Sequence, residues 1–413
     1  MTYILALNCG SSTLKYQIFD VDSHKIVISG NVQKIGNPGS FIVQKYTDGT
    51  KQQKDTQIAN HNEALNLVSF MMREASIDLT QIVGVGHRVV HGGEKFSSSV
   101  EITDEVIRTI SELSPLAPLH NPANLVGIVA AQQLLPNAKQ VAVFDTAFHQ
   151  SMPDFAYRYA VPRAWYTELG VRRYGFHGTS HLYVSKRAAA MLGKPASQCN
   201  LITMHIGSGA SAAAIRGGRS VDTSLGLTPL SGLTMGTRPG DLDPGVIMYV
   251  MDRLKIDSKT MQTILNKQSG ILGITGCYED RRDILEHLGD NDDCRLAHDI
   301  EVNNAKKFIG AYMAELGHVD AIVWTAGVGE NGSLLRAKIM AGLEDYGIKI
   351  DAEKNDGTAT MWGSGETEIS APDSRVKVFM IPTNEELVLV EDTIAIINGT
   401  YNPNHLEMNY SFV

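Results

Sequence analysis

Two segments in different halves of the chain share one pattern, in which a strand runs into a turn of small residues and then into a second strand. The first covers residues 3–19 and the second covers residues 201–215. Small residues leave room for backbone N–H groups to converge on an anion. Each segment alone is typical of an ordinary hairpin. Because one opens each half of the chain, the two together predict a duplicated phosphate-binding fold with a cleft between the halves.

Runs rich in Val and Ile alternate with helical patterns, and this alternation predicts an α/β protein. One helix is expected to begin with Asn121 as its cap and Pro122 in its first turn. Another is expected over residues 294–316, where apolar residues recur at helical spacing. Its apolar face would consist of Leu296, Ile300, Phe308, Ile309, Tyr312, Met313 and Leu316. The predicted strands are residues 3–7, 14–19, 25–28, 82–90, 140–144, 201–205, 321–325 and 376–381.

Length and composition limit the classes of function. A chain of 413 residues suggests two or three domains. The formal net charge of −9, without a basic patch, argues against a nucleic-acid partner. The first apolar run ends at Asn8 and is more typical of a strand than of a secretory signal, and no stretch approaches the ~18 apolar residues of a membrane span. Four scattered cysteines predict neither disulfides nor a zinc site, which fits a cytoplasmic protein.

Two motifs in the first half contain the residue types that bind anions. Residues 8–15 (NCGSSTLK) combine backbone and hydroxyl donors with a lysine, although a solvated hairpin turn has the same composition. Residues 86–93 (GHRVVHGG) place Arg88 at the end of a buried strand, where a guanidinium is costly unless it meets an anion. His87 and His91 are four residues apart, but the segment is a strand and lacks the glutamate of zinc-binding helices. We therefore expect no metal there.

Three further segments suggest a site for a small anion. Asp145 follows a Val-rich strand, and in open α/β sheets such a carboxylate points into the cleft, although capping of the next turn is an equal alternative. Residues 172–181 (RRYGFHGTSH) combine cations, aromatic rings and imidazoles, which suits a pocket that closes around a small anion. Residues 222–245 form a polar loop rich in Gly and Pro, of a kind that is often functional. Arg238 is the only cation of this loop and is the natural partner for substrate charge.

Two late motifs each allow two interpretations. Residues 327–332 match GxGxxG after a strand, with Asp351 further on, as in a dinucleotide-binding dehydrogenase. A lone match is weak, and glycines that let an adenosine lie against the backbone explain it equally well. Residues 382–387 (PTNEEL) contain a capping box from Thr383 to Glu386. Alternatively, one of these carboxylates points towards Mg²⁺.

Together these motifs resemble the acetate kinase family, within the superfamily of acetate and sugar kinases and actin-like ATPases. The resemblance implies an α/β fold of two RNase H-like lobes, each with a central mixed sheet, and an active-site cleft between them. The N-terminal lobe would comprise residues 1–150 plus 385–413, and the C-terminal, nucleotide-binding lobe would comprise residues 151–384. The motifs that match, in order, are residues 8–15, 87–94 (HRVVHGGE), 144–149 (FDTAFH), 172–181, 235–245 (MGTRPGDLDPG), 325–331 (TAGVGEN) and 382–387.

The same resemblance implies an enzyme that transfers the γ-phosphoryl group of ATP to acetate, directly, in line and reversibly. Arg88 and Arg238 would hold the acetate carboxylate and the charge of the moving phosphoryl group. His177 would stabilise that group, and Asp145 would orient the reacting assembly. The implied partners are acetate, ATP or ADP and a second copy of the chain in a homodimer.

The remaining family roles fall on three sets of residues. Mg²⁺, for which Mn²⁺ can substitute, would be bound with the help of Asn8 and Glu385. The pocket for the acetate methyl group would be formed by Val90, Leu119, Phe176 and Pro229. The nucleotide and its phosphates would be bound by Ser12, Lys15, His205, Ile206, Gly207, Ser208, Gly209, Asp280, Arg281, Arg282, Gly327, Val328, Gly329, Glu330 and Asn331.

One departure from the family pattern bears on the phosphoryl donor. The second hairpin usually reads HLGNGAS and here reads HIGSGAS, so that Ser208 replaces an Asn near the transferring phosphate. Within the class, the alternatives are a propionate kinase and a pyrophosphate-dependent acetate kinase. From other classes, the alternatives are an NAD-dependent dehydrogenase and a non-catalytic, actin-like nucleotide switch. A switch protein would not need Arg88 and Arg238 as a carboxylate clamp.

Overall fold

The structure is a computed structural model that describes residues 2–118, 120–360, 365–404 and 410. The chain divides into two compact units, which are Met1–Gln150 with Asn384–Val413 (unit 1) and Ser151–Thr383 (unit 2). Each unit contains its own mixed sheet with helices packed against it, so the α/β fold class is confirmed. Over the described ranges, no helix combines the length and apolar character needed to cross a membrane.

The elements follow one another along the chain as strands and helices of both units. The strands are β1 (Tyr3–Cys9), β2 (Thr13–Asp20), β3 (Lys25–Gln33), β4 (Phe41–Tyr46), β5 (Lys51–Asp55), β6 (Ile82–Val89), β7 (Val100–Glu101), β8 (Lys139–Phe144), β9 (Asn200–Ile206), β10 (Ala210–Arg216), β11 (Arg219–Thr223), β12 (Ala321–Thr325), β13 (Thr367–Glu368) and β14 (Lys377–Met380). The helices are α1 (His61–Glu74), α2 (Asp104–Glu112), α3 (Asn121–Leu134), α4 (Asp154–Tyr157), α5 (Arg163–Leu169), α6 (Gly178–Met191), α7 (Pro244–Leu254), α8 (Ser258–Lys267), α9 (Gly270–Thr275), α10 (Arg281–Glu286), α11 (Asp292–Leu316), α12 (Ala326–Asn331), α13 (Ser333–Met340), α14 (Ala352–Thr360) and α15 (Glu385–Ile397).

Unit 1 is built on a sheet in the order β5-β4-β3-β2-β1-β6-β8-β7. Strands β1 to β5 form an antiparallel meander, while β6 and β8 run parallel to β1. Helix α15 lies directly on β6, where a Cβ on Gly86 would be 2.6 Å from the Leu389 carbonyl oxygen. Glycine therefore allows this approach, which brings the first residues of α15 to the strand that ends near Arg88.

Unit 2 is built on a sheet in the order β11-β10-β9-β12-β14-β13. Strands β9, β12 and β14 are parallel, whereas β10, β11 and β13 pair antiparallel with their neighbours. A dinucleotide-binding domain has a parallel sheet around its glycine turn. Because β9 and β10 instead form an antiparallel hairpin beside β12, the GxGxxG match does not mark a dinucleotide fold.

The predicted start of α3 is right in position but wrong in its cap. The cap is His120, whose side chain makes no capping bond, and Asn121 is the first helical residue. The Asn121 side chain instead accepts from the His91 N–H at 3.1 Å and donates to the His91 carbonyl at 3.0 Å. A tertiary contact therefore replaces the local cap. Similarly, Asn384 and not Thr383 caps α15, since its side chain accepts from the backbone N–H of Leu387.

The predicted apolar face of α11 is also partly wrong. Leu296 and Ile300 are 52% and 37% exposed. The buried face instead includes Glu301, whose carboxylate lies 2.5 Å from the Arg281 Nε atom. Glu301 is thus buried because it pairs with Arg281. The spacing of apolar residues in the sequence cannot predict such a pair. The short polar strand β5 was not predicted either, because all its residues are exposed and none is apolar.

Candidate functional site

In unit 1, Arg88 and Asp145 meet at the edge where two parallel strands end. Arg88 is the penultimate residue of β6, and Asp145 directly follows β8, its parallel neighbour. The guanidinium binds the carboxylate through two bonds, Nε to Oδ1 at 2.9 Å and Nη2 to Oδ2 at 2.6 Å. Burial raises the pKa of Asp145, and the charge of Arg88 opposes that shift. The anion that the half-buried Arg88 requires is therefore supplied by Asp145.

Two consecutive carboxylates at the start of α15 face the same arginine. The Glu385 Oε2 atom lies 3.6 Å from Arg88 Nε. Burial, and then the charge of Glu385, raise the pKa of Glu386. Asn8 lies near the end of β1, against which α15 packs. Across the described residues, no three His, Cys, Asp or Glu side chains form a ready-made metal site.

This donor set fits Mg²⁺. Mg²⁺ prefers oxygen ligands and keeps several waters, so that one or two carboxylates together with substrate phosphates are usually sufficient. Glu385 supplies a carboxylate and Asn8 an amide oxygen, both within unit 1.

Two buried side chains fix the first hairpin by binding its backbone carbonyls. The His61 Nε2 atom donates to the Gly10 carbonyl at 2.7 Å. Asn124 donates to the Cys9 carbonyl at 2.7 Å and accepts from the Val90 N–H at 3.1 Å. Asn124 thus joins the hairpin to the segment after β6. Ser12 is half-buried and Lys15 is exposed, and their contact with phosphate stays a prediction.

The residues expected around the acetate methyl group fall in both units. Val90, in unit 1, is half-buried. In unit 2, Phe176 is buried and Pro229 is half-buried. Leu119 lies outside the described residues. The apolar pocket for the methyl group accordingly stays a prediction.

In unit 2, Arg238 packs against the second hairpin. A Cβ on Gly209 would lie 2.6 Å from Arg238 Nη2, so a larger residue there would displace the guanidinium. The opposite nitrogen, Nη1, donates to the Pro229 carbonyl at 2.7 Å. Burial lowers the pKa of Arg238, and no carboxylate pairs with it in the part of the chain that the structure describes. This guanidinium is therefore available to bind an anionic group of a ligand.

A cavity of about 580 Å³ adjoins the same hairpin. One wall is Asp280, which caps α10 and receives hydrogen bonds from Arg282 that lower its pKa to about 2. Arg281 donates to the Gly207 carbonyl at 2.9 Å while it binds Glu301, which anchors the hairpin to α11. The predicted nucleotide residues that line the cavity are Gly207, Ser208, Asp280, Arg281, Arg282, Gly327, Val328 and Asn331.

Five predicted nucleotide residues of unit 2 do not line this cavity: His205, Ile206, Gly209, Gly329 and Glu330. Gly329 lies against β9, where a Cβ would be 3.5 Å from the Met204 carbonyl oxygen. Glu330 accepts from the Thr383 N–H at 3.1 Å, and burial raises its pKa. These two residues therefore fix α12 against the sheet and do not face the cavity.

His177 is the cap residue of α6 and has a left-handed backbone conformation, with φ of 57°. Such a conformation is uncommon for residues other than glycine and is concentrated at functional sites. The His177 Nδ1 atom lies 2.8 Å from the Ser211 hydroxyl. Its ring stacks on His205 with 4.2 Å between centroids, and its Cε1 atom would be 3.6 Å from a Cβ on Gly209. The ring therefore lies beside the hairpin and Arg238.

Sequence patterns missed several residues that position this machinery. Asn124 is one, and Arg336 is another. Arg336 is fully buried and donates to the carbonyls of Gly329 and Glu330 and to Asn355. Its bonds hold the last turn of α12. An isolated Arg in a helix gives no sequence signal of such a role, because its acceptors are backbone carbonyls of another element.

Comparisons with known proteins agree along nearly the whole chain. The profile of the acetokinase family matches residues 3–391. A protein of Trichlorobacter lovleyi named acetate kinase is 52% identical over 99% of this chain and 98% of its own length. The crystal structure of Porphyromonas gingivalis acetate kinase superposes with a TM-score of 0.90 at 45% identity, over 96% of this chain and 100% of that one. A propionate kinase from Francisella tularensis gives a TM-score of 0.89 at 38% identity, over 95% and 99%.

Proposed function

The chain belongs to the acetokinase family, and on that premise we propose that it catalyses the reversible transfer of the ATP γ-phosphoryl group to acetate, giving acetyl phosphate and ADP. The enzyme is a phosphotransferase with a carboxyl group as acceptor. The observation that most supports acyl phosphate chemistry is the environment of Arg238, a half-buried cation that has no carboxylate partner among the described residues and lies beside Gly209. Such a cation is suited to bind an anionic substrate group, because no carboxylate of the described residues neutralises it.

The acceptor requires no general base, because acetate is already an anionic nucleophile. The chemical difficulty is to bring two anions together, and positioned cations and donors solve it by orientation and charge stabilisation. Arg238 and His177 would stabilise the phosphoryl group during direct, in-line transfer. Arg88 would bind the acetate carboxylate with the guanidinium N–H groups that Asp145 does not use. Asp145 would keep that guanidinium oriented.

ATP, with ADP in the reverse direction, is the proposed nucleotide. The cavity of about 580 Å³ beside the second hairpin supports a nucleoside-bearing donor, because pyrophosphate has no group that would occupy it. Ser12 and Lys15 of the first hairpin would contact phosphate oxygens. Asn8 and Glu385 would bind Mg²⁺ through their oxygen atoms, and Mn²⁺ can substitute. When bound, the metal ion would neutralise phosphate charge.

Acetate is the proposed acyl substrate, and propionate is the second candidate because a propionate kinase is among the similar structures. Val90, Leu119, Phe176 and Pro229 would surround the methyl group. One extra methylene changes discrimination by only about 1–3 kcal/mol in an apolar pocket. Propionate is therefore expected to react more slowly without being excluded, since Val90 leaves less room than a smaller residue.

A cytoplasmic homodimer completes the proposal. Helix α7 has no buried residue, and Val246, Met248, Tyr249 and Leu254 are each more than 40% exposed. An apolar helix that finds no cover within its own unit is typical of a surface that a second copy covers. The cysteines of the described residues are all free, which fits a reducing compartment.

Trapping of acyl phosphate tests the function directly. Purified protein is incubated with Mg²⁺, ATP and acetate, and the product is captured with hydroxylamine, with pyrophosphate and propionate in parallel. We expect acetohydroxamate with ATP, and its loss in Arg88→Ala and Arg238→Ala. Product with pyrophosphate alone would refute the nucleotide assignment. No product from any pairing would refute the activity and favour a nucleotide switch.

A further inference from the structure

Three histidines of unit 2 lie between helix α6 and one face of the sheet. His177 and His181 belong to the cap and first turn of α6. His205 lies on β9, and its cross-strand partner on β10 is Ser211. Thr203 is two residues before His205 and so points to the same face of the sheet. His181, Thr203 and Ser211 are fully buried.

These side chains form a continuous hydrogen-bonded relay. Thr203 Oγ1 lies 2.7 Å from His181 Nδ1. The other nitrogen of that ring, Nε2, lies 2.8 Å from Ser211 Oγ. Ser211 Oγ in turn lies 2.8 Å from His177 Nδ1. The relay therefore runs from a threonine in the core to the histidine beside Arg238.

The number of protons decides the direction of this relay. A neutral imidazole has one N–H, and the Ser211 hydroxyl can donate to only one of the two rings that it touches. If both His177 Nδ1 and His181 Nε2 donated to Ser211, the serine proton would lack an acceptor, since these two rings are the partners of that hydroxyl among the described residues. If His177 Nδ1 donated and the serine donated in turn to His181, then His181 would donate to Thr203. The Thr203 hydroxyl proton would then lack an acceptor, since His181 is its one partner among the described residues. A buried donor without an acceptor is unfavourable.

The opposite direction gives both hydroxyl protons and the His181 N–H proton an acceptor. Thr203 donates to His181 Nδ1, His181 Nε2 donates to Ser211, and Ser211 donates to His177 Nδ1. A neutral His177 then has its proton on Nε2, the nitrogen that the serine does not touch. In this form the ring is a hydrogen-bond donor without being a cation.

A second relay gives the same result for the stacked ring. The Thr383 hydroxyl donates to Ser180 Oγ at 2.8 Å. Ser180 lies 2.8 Å from His205 Nδ1 and has its own proton left to donate to it. His205 is thereby held with its proton on Nε2. Two stacked imidazoles with centroids 4.2 Å apart would repel if both were charged, so neutral rings suit this stack.

We propose that Thr203 and His181 are positioning residues that hold His177 in its neutral, Nε2-protonated form, so that it donates a hydrogen bond to the moving phosphoryl group. This inference rests on the proposed function for its last step, while the tautomer stands on the relay alone. It assigns the cationic role to Arg238 and leaves His177 as a neutral donor. It also explains why a threonine hydroxyl is buried in the middle of β9.

Nuclear magnetic resonance of the full-length protein labelled with [¹⁵N]histidine tests the proposal. Long-range ¹H–¹⁵N correlations identify which ring nitrogen is protonated, and His177→Asn assigns the His177 signals. We expect the Nε2–H tautomer in the wild type and in Thr203→Ser, which keeps the hydroxyl. In Thr203→Val the proton should move to Nδ1 in a substantial fraction of molecules. Thr393→Val is the matched control, because Thr393 is buried but its hydroxyl donates to the Leu389 carbonyl.

The kinetic readout follows the tautomer. Loss of the partner that orients a metal-ligating histidine typically lowers activity about 10- to 100-fold, and by analogy we expect a fall of this size in kcat for Thr203→Val. KM for acetate and for ATP should stay within about twofold. Thr203→Ser should recover most of the rate, which a mere packing role would not predict.

Two results would overturn the proposal. One is a wild-type spectrum in which His177 is protonated on Nδ1 or on both nitrogens at neutral pH. The other is an unchanged His177 tautomer in Thr203→Val. If the wild type has the Nε2–H tautomer yet forms no acyl phosphate, the relay is supported and the proposed function fails, so that the two failures are distinct.

Discussion

At the scale of single residues, the ion pair of Arg88 and Asp145 has to be both stable and available to a ligand. The arginine side chain is 22% exposed and the aspartate side chain 2%. One edge of the guanidinium is therefore bound to Asp145, and the other edge is accessible to a ligand. Substitution of the aspartate should therefore damage acetate binding without removing the cation. We expect Asp145→Asn to lower kcat/KM for acetate on the order of 100-fold, since the amide cannot fix the guanidinium through two charged bonds.

A surface ion pair of similar length provides the control for this prediction. Lys139 and Glu101 are 2.5 Å apart but are 56% and 45% exposed. Exposed pairs are worth little, so Glu101→Gln should leave acetohydroxamate formation unchanged. Equal losses in Asp145→Asn and Glu101→Gln would mean that net charge, and not the geometry at Arg88, determines acetate binding.

Arg336 offers a second residue-scale prediction, this time for the nucleotide. Burial lowers its pKa to about 10, and its planar fork donates to the Gly329 and Glu330 carbonyls and to Asn355. Lysine cannot reproduce this set of bonds. We expect Arg336→Lys to raise KM for ATP by roughly 10-fold, because α12 lines the nucleoside cavity and loses its anchor. Initial rates at saturating acetate measure the change, and a parallel rise in KM for acetate would contradict it.

At the scale of elements, helix α15 has acidic side chains in two different environments. Its first turn bears Glu385 and Glu386, whereas one of its inner residues, Asp392, is fully buried. Asp392 accepts from the Ser99 hydroxyl at 2.6 Å and from the Tyr410 hydroxyl at 3.0 Å. This contact holds Tyr410, which belongs to a segment that sequence alone left uninterpreted, against α15.

The Asp392 contact should make stability depend on pH. Burial raises the pKa of Asp392 to about 7. The usual pKa of an unfolded aspartate is about 3.9, so the raised value adds stability below that pH, and this stability is lost as the pH rises through about 7. Between about pH 5 and pH 8 we expect the wild type to lose roughly 3 kcal/mol of unfolding free energy relative to Asp392→Asn. Denaturant unfolding of both proteins at several pH values measures this difference.

The comparison with Asp392→Asn cancels groups that titrate in both proteins. Asparagine keeps an acceptor for the Tyr410 hydroxyl and cannot ionise, while its NH2 group replaces the oxygen that accepts from Ser99. Asp373→Asn is the control, since that carboxylate is 67% exposed. A pH-independent difference between the wild type and Asp392→Asn would show that the buried carboxyl does not titrate in this range.

At the scale of the whole molecule, the sequence predicted elements and their polar ends better than it predicted long-range partners. The parallel strands around Arg88 were evident from their Val and Ile content, and Asp145 from its place after a strand. The inward position of Glu301 and the cap of α3 were not, because Arg281 and His91 reach them from distant parts of the chain. The relay behind His177 was missed for the same reason, since His181, Thr203 and Ser211 lie on three different elements.

The homodimer is the prediction that concerns the whole molecule. Helix α7 exposes Met248 and Tyr249 by 66% and 64%, and a charge at either position would be desolvated in an interface formed by two copies. We expect sedimentation of the wild type at twice 44.9 kDa at micromolar concentration, and of Met248→Glu/Tyr249→Glu as a monomer. Phe70→Glu is the matched control, because Phe70 is 47% exposed on α1 and Lys54 lies beside its ring. A wild type that sediments only as a monomer would refute the dimer, whereas a dimer that survives the double substitution would refute α7 as its interface.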